Sequence, residues 1–198
     1  MGVSRQQAIQ NRQLIIAAAE KLFRERGVDA VGLTELTKAA GFTQGGFYNH
    51  FESKDALVAA VMENAMENGA SRLIEAIEHS KTMGLDPIKR QIDWYLSPDH
   101  RSNIESGCPV STFVGDVRRL SAEARKSYAE GLAFNIDCLA AALAGTNKKE
   151  RRKKAISVLS QLVGTLTLSR AVVEADPDLA DEILKDGRRQ LLLALAGD

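Results

Sequence analysis

The chain has 198 residues, 44% of them hydrophobic and 26% charged, a composition that can bury a core and excludes wholesale disorder. Its 26 Lys and Arg balance its 26 Asp and Glu, so bulk charge favours no partner and a nucleic-acid site has to show itself locally. No apolar run nears the roughly 18 residues of a membrane span, and the start from Met1 to Arg12 is polar, so the expectation is a cytoplasmic protein with no membrane partner.

Ile15, Ala18, Ala19 and Leu22 recur at i, i+3, i+4 and i+7, with Phe23 widening the stripe, so a helix is predicted over residues 7–26, closed by Gly27. A short helix over 33–40 turns Leu33, Leu36 and Ala40 inward and ends at Gly41, a residue suited to a left-handed cap. Thr43 caps a third helix through His50, with Phe47 and Phe51 inward. Ser53 caps a fourth, in which Val58, Met62, Ala65, Met66, Leu73 and Ile77 keep helical period to about Ser80. Asp86-Pro87 and Asp176-Pro177 each place a capping Asp before a proline preset for the first turn, so helices restart there. The first runs to about Leu96, and Ser97 to Gly107 reads as a polar loop before a short helix near Cys108. Ser121 begins a helix through Leu143, and Gly145-Thr146-Asn147 breaks it. Residues 148–173 and 177–196 form two more, with broad apolar faces. No alternating run of strand length appears, so the predicted fold class is all-α.

Two short helices about Gly41, with a longer one to pack on, have the proportions of a helix-turn-helix. The second would expose Thr43, Gln44, Gly45, Gly46, Tyr48, Asn49 and His50, hydrogen-bonding groups with glycines where a duplex must come close. From Leu36 to Phe51 there is no acidic side chain to repel phosphate. A packed Gly-Gly-aromatic turn with no role in DNA binding is the alternative that periodicity leaves open.

The stretch from Leu33 through Gly41-Phe42-Thr43-Gln44-Gly45-Gly46-Phe47-Tyr48-Asn49-His50-Phe51, followed by Ser53-Lys54-Asp55-Ala56-Leu57, resembles the DNA-binding signature of the TetR/AcrR family of one-component bacterial regulators. The resemblance covers roughly Leu14 to Leu57, and beyond it only length and helicity match. Gly46 departs from it, standing where many relatives carry Ser, Thr or Ala. The resemblance implies a DNA-binding domain over residues 1–52 and a helical effector-binding and dimerisation domain over 53–198. It also implies a homodimer on a palindromic operator, acting as a repressor released by a small, partly apolar effector. Thr34, Thr43, Tyr48, His50 and Lys54 would then hold phosphates. Gln44, whose amide can pair bidentately with adenine, would be the first base reader and Asn49 the second, while Gly45 would serve by lacking a side chain. The dimer is expected through Leu159, Leu162, Val163, Leu166, Leu184, Leu191 and Leu195 of the last two helices.

Signals elsewhere are weaker. The basic run from Lys148 to Lys154 lacks interleaved aromatics and reads as a solvated helix face. His50, His79 and His100 are scattered, no HExxH or paired-cysteine spacing exists, and no metal or other cofactor is expected. Without GxSxG, GxxxxGK or GxGxxG, the expectation is that the chain is not an enzyme. Cys108 and Cys138 make no disulfide framework and are expected reduced. Met62, Met66, Trp94, Cys108, Phe113 and Phe134 are candidates for an effector pocket; the aromatic and methionine side chains among them, with Tyr95 and Tyr128, could equally fill the core. Cys108 reads first as cavity wall, since no Lys, Arg or His lies within five positions of it. A redox or electrophile sensor through Cys108 is the alternative, and a helical thiol enzyme a remote one.

Overall fold

The computed structural model describes residues 4–196, and all its regular elements are helical. In chain order they are α1 (Arg5–Arg26), α2 (Leu33–Ala39), α3 (Gln44–Tyr48), α4 (Lys54–Thr82), α5 (Pro87–Tyr95), α6 (Pro98–Ser102), α7 (Pro109–Phe113), α8 (Ala122–Ala142), α9 (Lys148–Val172) and α10 (Pro177–Ala196). A single 3-10 turn, Val117–Arg119, precedes α8. The predicted capping residues do the capping. Thr43 accepts from the Gly46 amide at 3.1 Å, Ser53 from Ala56 at 3.0 Å, Asp86 from Ile88 at 2.8 Å and Asp176 from Leu179 at 3.0 Å. Each satisfies an amide that the first helical turn would leave without a partner. Gly27 and Gly41, with φ of 82° and 75°, occupy backbone regions that favour glycine as α1 and α2 end. The segment expected to be a loop after Leu96 contains α6, started by the Ser97 hydroxyl accepting from His100 at 3.1 Å and by Pro98 in the first turn.

The chain forms two compact units. One comprises the residues up to Glu67 together with Phe113–Glu130; the other comprises Asn68–Thr112 together with the residues from Gly131 onward. The expected division at 52/53 falls where α4 begins, whereas the units divide inside that helix, and the segment around the 3-10 turn returns to the first unit.

In the first unit, Ile15, Ile16, Ala19 and Phe23 of α1 are buried, as are Leu36, Phe47 and Phe51. The last two rings stack with centroids 5.6 Å apart. Arg24, also buried, pairs with Glu20 at 2.8 Å, and its guanidinium lies 5.4 Å from the centroid of the Phe113 ring. Asn64 donates to the same half-buried Glu20 at 3.0 Å, so the buried Arg24 has a partner that is itself hydrogen-bonded.

The second unit is built around Ile92, Leu139, Leu162, Leu166, Leu184 and Leu191. Helices α9 and α10 cross so closely at Gly187 that a Cβ there would lie 2.5 Å from the Thr165 methyl. By length and composition α9 could cross a membrane, with a window of mean hydropathy 1.3, although six of its residues are buried in this unit.

The residues expected at a dimer interface lie largely within the protomer. Leu159, Leu162, Leu166, Leu184 and Leu191 lie in the protomer's own core, and Val163 and Leu195 pack partly buried against it. The apolar side chains these helices leave outward are different ones, Ile156 and Leu168 on α9 and Leu179 and Leu193 on α10, with Leu168 60% and Leu193 61% exposed.

Candidate DNA-binding face and effector cavity

Helix α3 presents Thr43, Gln44, Gly45, Tyr48 and Asn49 to solvent, while His50 is half-buried, its ring edge-on to Phe42 with centroids 5.9 Å apart. Phe47 is fully buried beneath this face, so one helical turn separates the anchor from the exposed groups. Gln44 donates through Nε2 to Thr34 Oγ1 at 3.0 Å, bridging α3 to the start of α2. Neither Gly45 nor Gly46 has a positive φ, and nothing lies within 4 Å of where a Gly45 Cβ would be. Two glycines in a five-residue helix each cost about 1 kcal/mol relative to Ala, so the fold itself supplies no reason for Gly45. A Cβ at Gly46 would sit 3.3 Å from Thr43 Oγ1, the atom that caps the helix.

Lys54 has a partner within the chain. Its ammonium donates to the Val28 carbonyl at 2.9 Å, tying the first turn of α4 to the segment after α1. This intramolecular bond accounts for a cation at a helix start, where the dipole disfavours one. An ammonium has three protons, so the bond leaves two for a phosphate.

The second unit contains a cavity of about 470 Å³, within the usual range for small-molecule sites. Its walls include Leu73 and Ala76 of α4, Trp94 and Tyr95 of α5, and Leu159 and Leu162 of α9. Two of the six expected lining residues, Trp94 and Cys108, are there. The other four are not. Met62 and Met66 are core residues of the first unit, Phe113 is buried there against Arg24, and Phe134 is 47% exposed on α8.

Sequence reasoning missed the polar half of this cavity. Arg72, Arg90 and Asn135 line it; so does the buried Tyr95, one of the aromatic side chains the sequence left open between pocket and core. The Tyr95 hydroxyl lies beside the Cys108 thiol and the Ser111 hydroxyl without satisfactory hydrogen-bond geometry to any group. Burial, followed by the neighbouring Cys108, holds its pKa well above the ordinary tyrosine value. Arg72 and Arg90 come from α4 and α5, far apart in sequence, and no local pattern marks them.

His100 anchors the wall behind Cys108. Nδ1 sits 2.8 Å from the Tyr95 carbonyl and must carry the proton, while Nε2 accepts from the Cys108 amide at 3.1 Å. The ring is therefore neutral, and burial lowers its pKa from 6.5 to about 4. Trp94 stacks on it, with centroids 4.2 Å apart. Arg170 of α9 donates to the carbonyls of His100 and Arg101 at 2.8 and 3.0 Å, and its guanidinium lies 3.1 Å from where a Gly107 Cβ would be. Folding thus brings a histidine and an arginine beside the Cys108 segment, although no basic residue lies within five positions of it in sequence.

Comparison with known proteins agrees with the helix-turn-helix geometry. Residues 15–61 match the family of bacterial regulatory proteins named after tetR. Over 176 residues the chain is 26% identical to an uncharacterised helix-turn-helix transcriptional regulator from the lacX 3' region of Lactococcus lactis, covering 85% of this chain and 90% of that one. It is 30% identical over 132 residues to the transcriptional repressor NemR of Escherichia coli, covering 67% of this chain and 66% of NemR. The crystal structure of the reduced form of E. coli NemR superposes with a TM-score of 0.72 at 21% identity, over 92% of this chain and 95% of that one. With its helix-turn-helix, its all-helical second unit and these relatives, the chain belongs to the TetR family and is a DNA-binding transcriptional regulator.

Proposed function

We propose that the protein is a one-component repressor that binds a palindromic operator as a homodimer and leaves it when a small molecule occupies the cavity of the second unit. The observation that carries this reading is the exposed face of α3. It offers hydrogen-bonding side chains on a buried aromatic anchor, and Gly45 gives up helix stability for an open surface that the fold does not require. Thr34, Thr43, Tyr48, His50 and Lys54 position the phosphate backbone; Gln44 and Asn49 read bases. Dimerisation uses Ile156, Leu168, Leu179 and Leu193, with Val163 and Leu195 at the edge of that face. The exposed apolar side of α9 then has a protein partner, and no membrane is involved.

Helix α4 supplies Val58 and Met62 to the first unit's core and Arg72, Leu73 and Ala76 to the cavity wall. A ligand that favours one position of its second half therefore acts on a helix whose first half is built into the DNA-binding unit. A gel shift on DNA flanking the protein's own gene tests this reading: a saturable complex with a two-fold symmetric footprint supports it, and indifference to sequence refutes it.

A second reading gives Cys108 the trigger. The thiol lines the cavity beside Tyr95, Arg170 is packed against the adjacent Gly107, and a relative was crystallised in a form described as reduced. Alkylation would join the thiolate sulfur to an electrophilic carbon and release the thiol proton to solvent. We favour the first reading, with Cys108 as cavity wall, because the cavity is complete without a covalent step.

A further inference from the structure

The charge of the cavity wall is one-sided. Arg72 and Arg90 line it, and among the described residues no Asp or Glu does. Neither arginine forms an ion pair or a side-chain hydrogen bond among the described residues. The acidic groups nearest Arg90 along α5 are otherwise engaged: Asp86 caps the helix, and Asp93 is held by Arg188 at 2.7 Å. Most other arginines of this unit are paired, among them Arg101 with Asp181, Arg152 with Asp137 and Arg189 with Asp186. Both guanidiniums are exposed at the cavity, so water screens their charge, and both are placed to take an anion there. An apolar part of the wall is formed by Leu73, Pro87, Leu139, Leu159 and Leu162, and neutral polar groups such as Gln91 and Asn135 share the rest. The Tyr95 hydroxyl, 2% exposed and with no hydrogen-bond partner, is a buried donor on the same wall. A buried hydroxyl without a well-aligned acceptor is costly, and a ligand acceptor would relieve that cost.

We infer that the cavity takes an amphipathic carboxylate: an apolar chain or ring against the leucines, a carboxylate held by Arg72 and Arg90, and a second polar atom meeting the Tyr95 hydroxyl. This rests on the reading of the cavity as the effector site and adds the chemical class of the effector. An arginine fork matches a carboxylate geometrically, with two parallel N–H donors for its two oxygens.

The protein supplies its own reporter, because Trp94 is the only tryptophan in the chain and lines the cavity. Its fluorescence is titrated in the full chain with decanoate, decanol, decylamine and 10-hydroxydecanoate. Decanoate should bind at least tenfold more tightly than decanol, with decylamine weakest. R72Q and R90Q should each remove most of that preference while leaving the circular dichroism spectrum unchanged. Y95F should weaken 10-hydroxydecanoate but not decanoate. Equal binding of decanol and decanoate, no response to decanoate, or R72Q and R90Q chains that keep full carboxylate preference would overturn the assignment. Operator release separates this from the effector reading. Decanoate that binds as described but leaves the DNA complex intact refutes the cavity as effector site and keeps the anion assignment. Release by decanol with no preference for decanoate keeps the effector site and refutes the anion assignment.

Discussion

The Gln44 side-chain amide donates one of its two N–H groups to Thr34 Oγ1 at 3.0 Å, which leaves Oε1 and the other N–H facing outward. That free pair is what adenine N6 and N7 require, so the bond to Thr34 orients Gln44 before DNA arrives. Thr34 accepts with a lone pair and keeps its own proton to donate to a phosphate. Gln44→Ala should change preference at one base position per half-site by about 1–3 kcal/mol, with the salt dependence unchanged. Thr34→Val should blunt the same preference and also weaken binding overall. Fluorescence anisotropy on an operator series checks both, and a Gln44→Ala chain with unaltered base preference would remove Gln44 from the readout.

Lys54 now has two roles to separate. Lys54→Ala should weaken all DNA sequences alike and flatten the salt slope by about one unit. It should also lower stability, because the Val28 carbonyl loses its donor. Urea denaturation alongside salt-dependent binding tells the roles apart. A loss of stability with an unchanged salt slope would make Lys54 purely structural.

His100 predicts an acid-sensitive fold. Its folded pKa of about 4 lies below the unfolded value of 6.5, so between those pH values the unfolded chain binds a proton that the folded chain refuses. Stability is therefore full above pH 6.5, declines as pH falls toward 4, and levels off below, with a total loss of at most about 3 kcal/mol. His100→Gln should lower stability at neutral pH, since the Tyr95 carbonyl and Cys108 amide lose their partners, and make the profile flatter between pH 4 and 6.5. An equally steep profile in the variant would locate the proton elsewhere.

The two sets of leucines on α9 and α10 should behave differently. Leu162→Glu buries an unpaired charge in the protomer core and should unfold the second unit. Leu168→Glu together with Leu193→Glu should give folded monomers that bind DNA poorly. Sedimentation and circular dichroism distinguish these outcomes, and a dimer surviving the outer pair would place the interface on another face.

These leucines also show where the sequence stops being legible. Helix periodicity and caps are local, so Thr43, Ser53 and Asp86 announced their helices and Phe47 its burial. Ser97-Pro98 is the same kind of signal as Asp86-Pro87, and α6 could have been read from it. Helix α9, however, is apolar on more than one side, so a 3.6-residue period cannot tell Leu162, which faces the protomer core, from Leu168, which faces out. Phe113 lies near Cys108 in sequence, yet its ring packs under Arg24, a placement set by tertiary contact alone. The helix-turn-helix face is contiguous in sequence and was visible, whereas Arg72 of α4, Arg90 and Tyr95 of α5, and Cys108 before α7 line one cavity only because these separate segments pack together.

Cys108 separates the two accounts of release. As cavity wall it should be alkylated slowly in the folded protein, and Cys108→Ser should keep both operator binding and the response to a reversible ligand. Mass spectrometry of iodoacetamide-treated protein, paired with a gel shift, reads both. Rapid stoichiometric alkylation of Cys108 that releases DNA would make the thiol the trigger.

The most direct test of the central claim is a footprint and anisotropy titration of the purified protein on DNA flanking its own gene, repeated with the α3 variant Gln44→Ala. A two-fold symmetric protected site, bound orders of magnitude more tightly than random duplex and altered at one position per half-site by the variant, is the predicted result. Equal affinity for random duplex, or a specific site that the variant leaves unchanged at every base, would contradict the claim that the exposed face of α3 reads an operator.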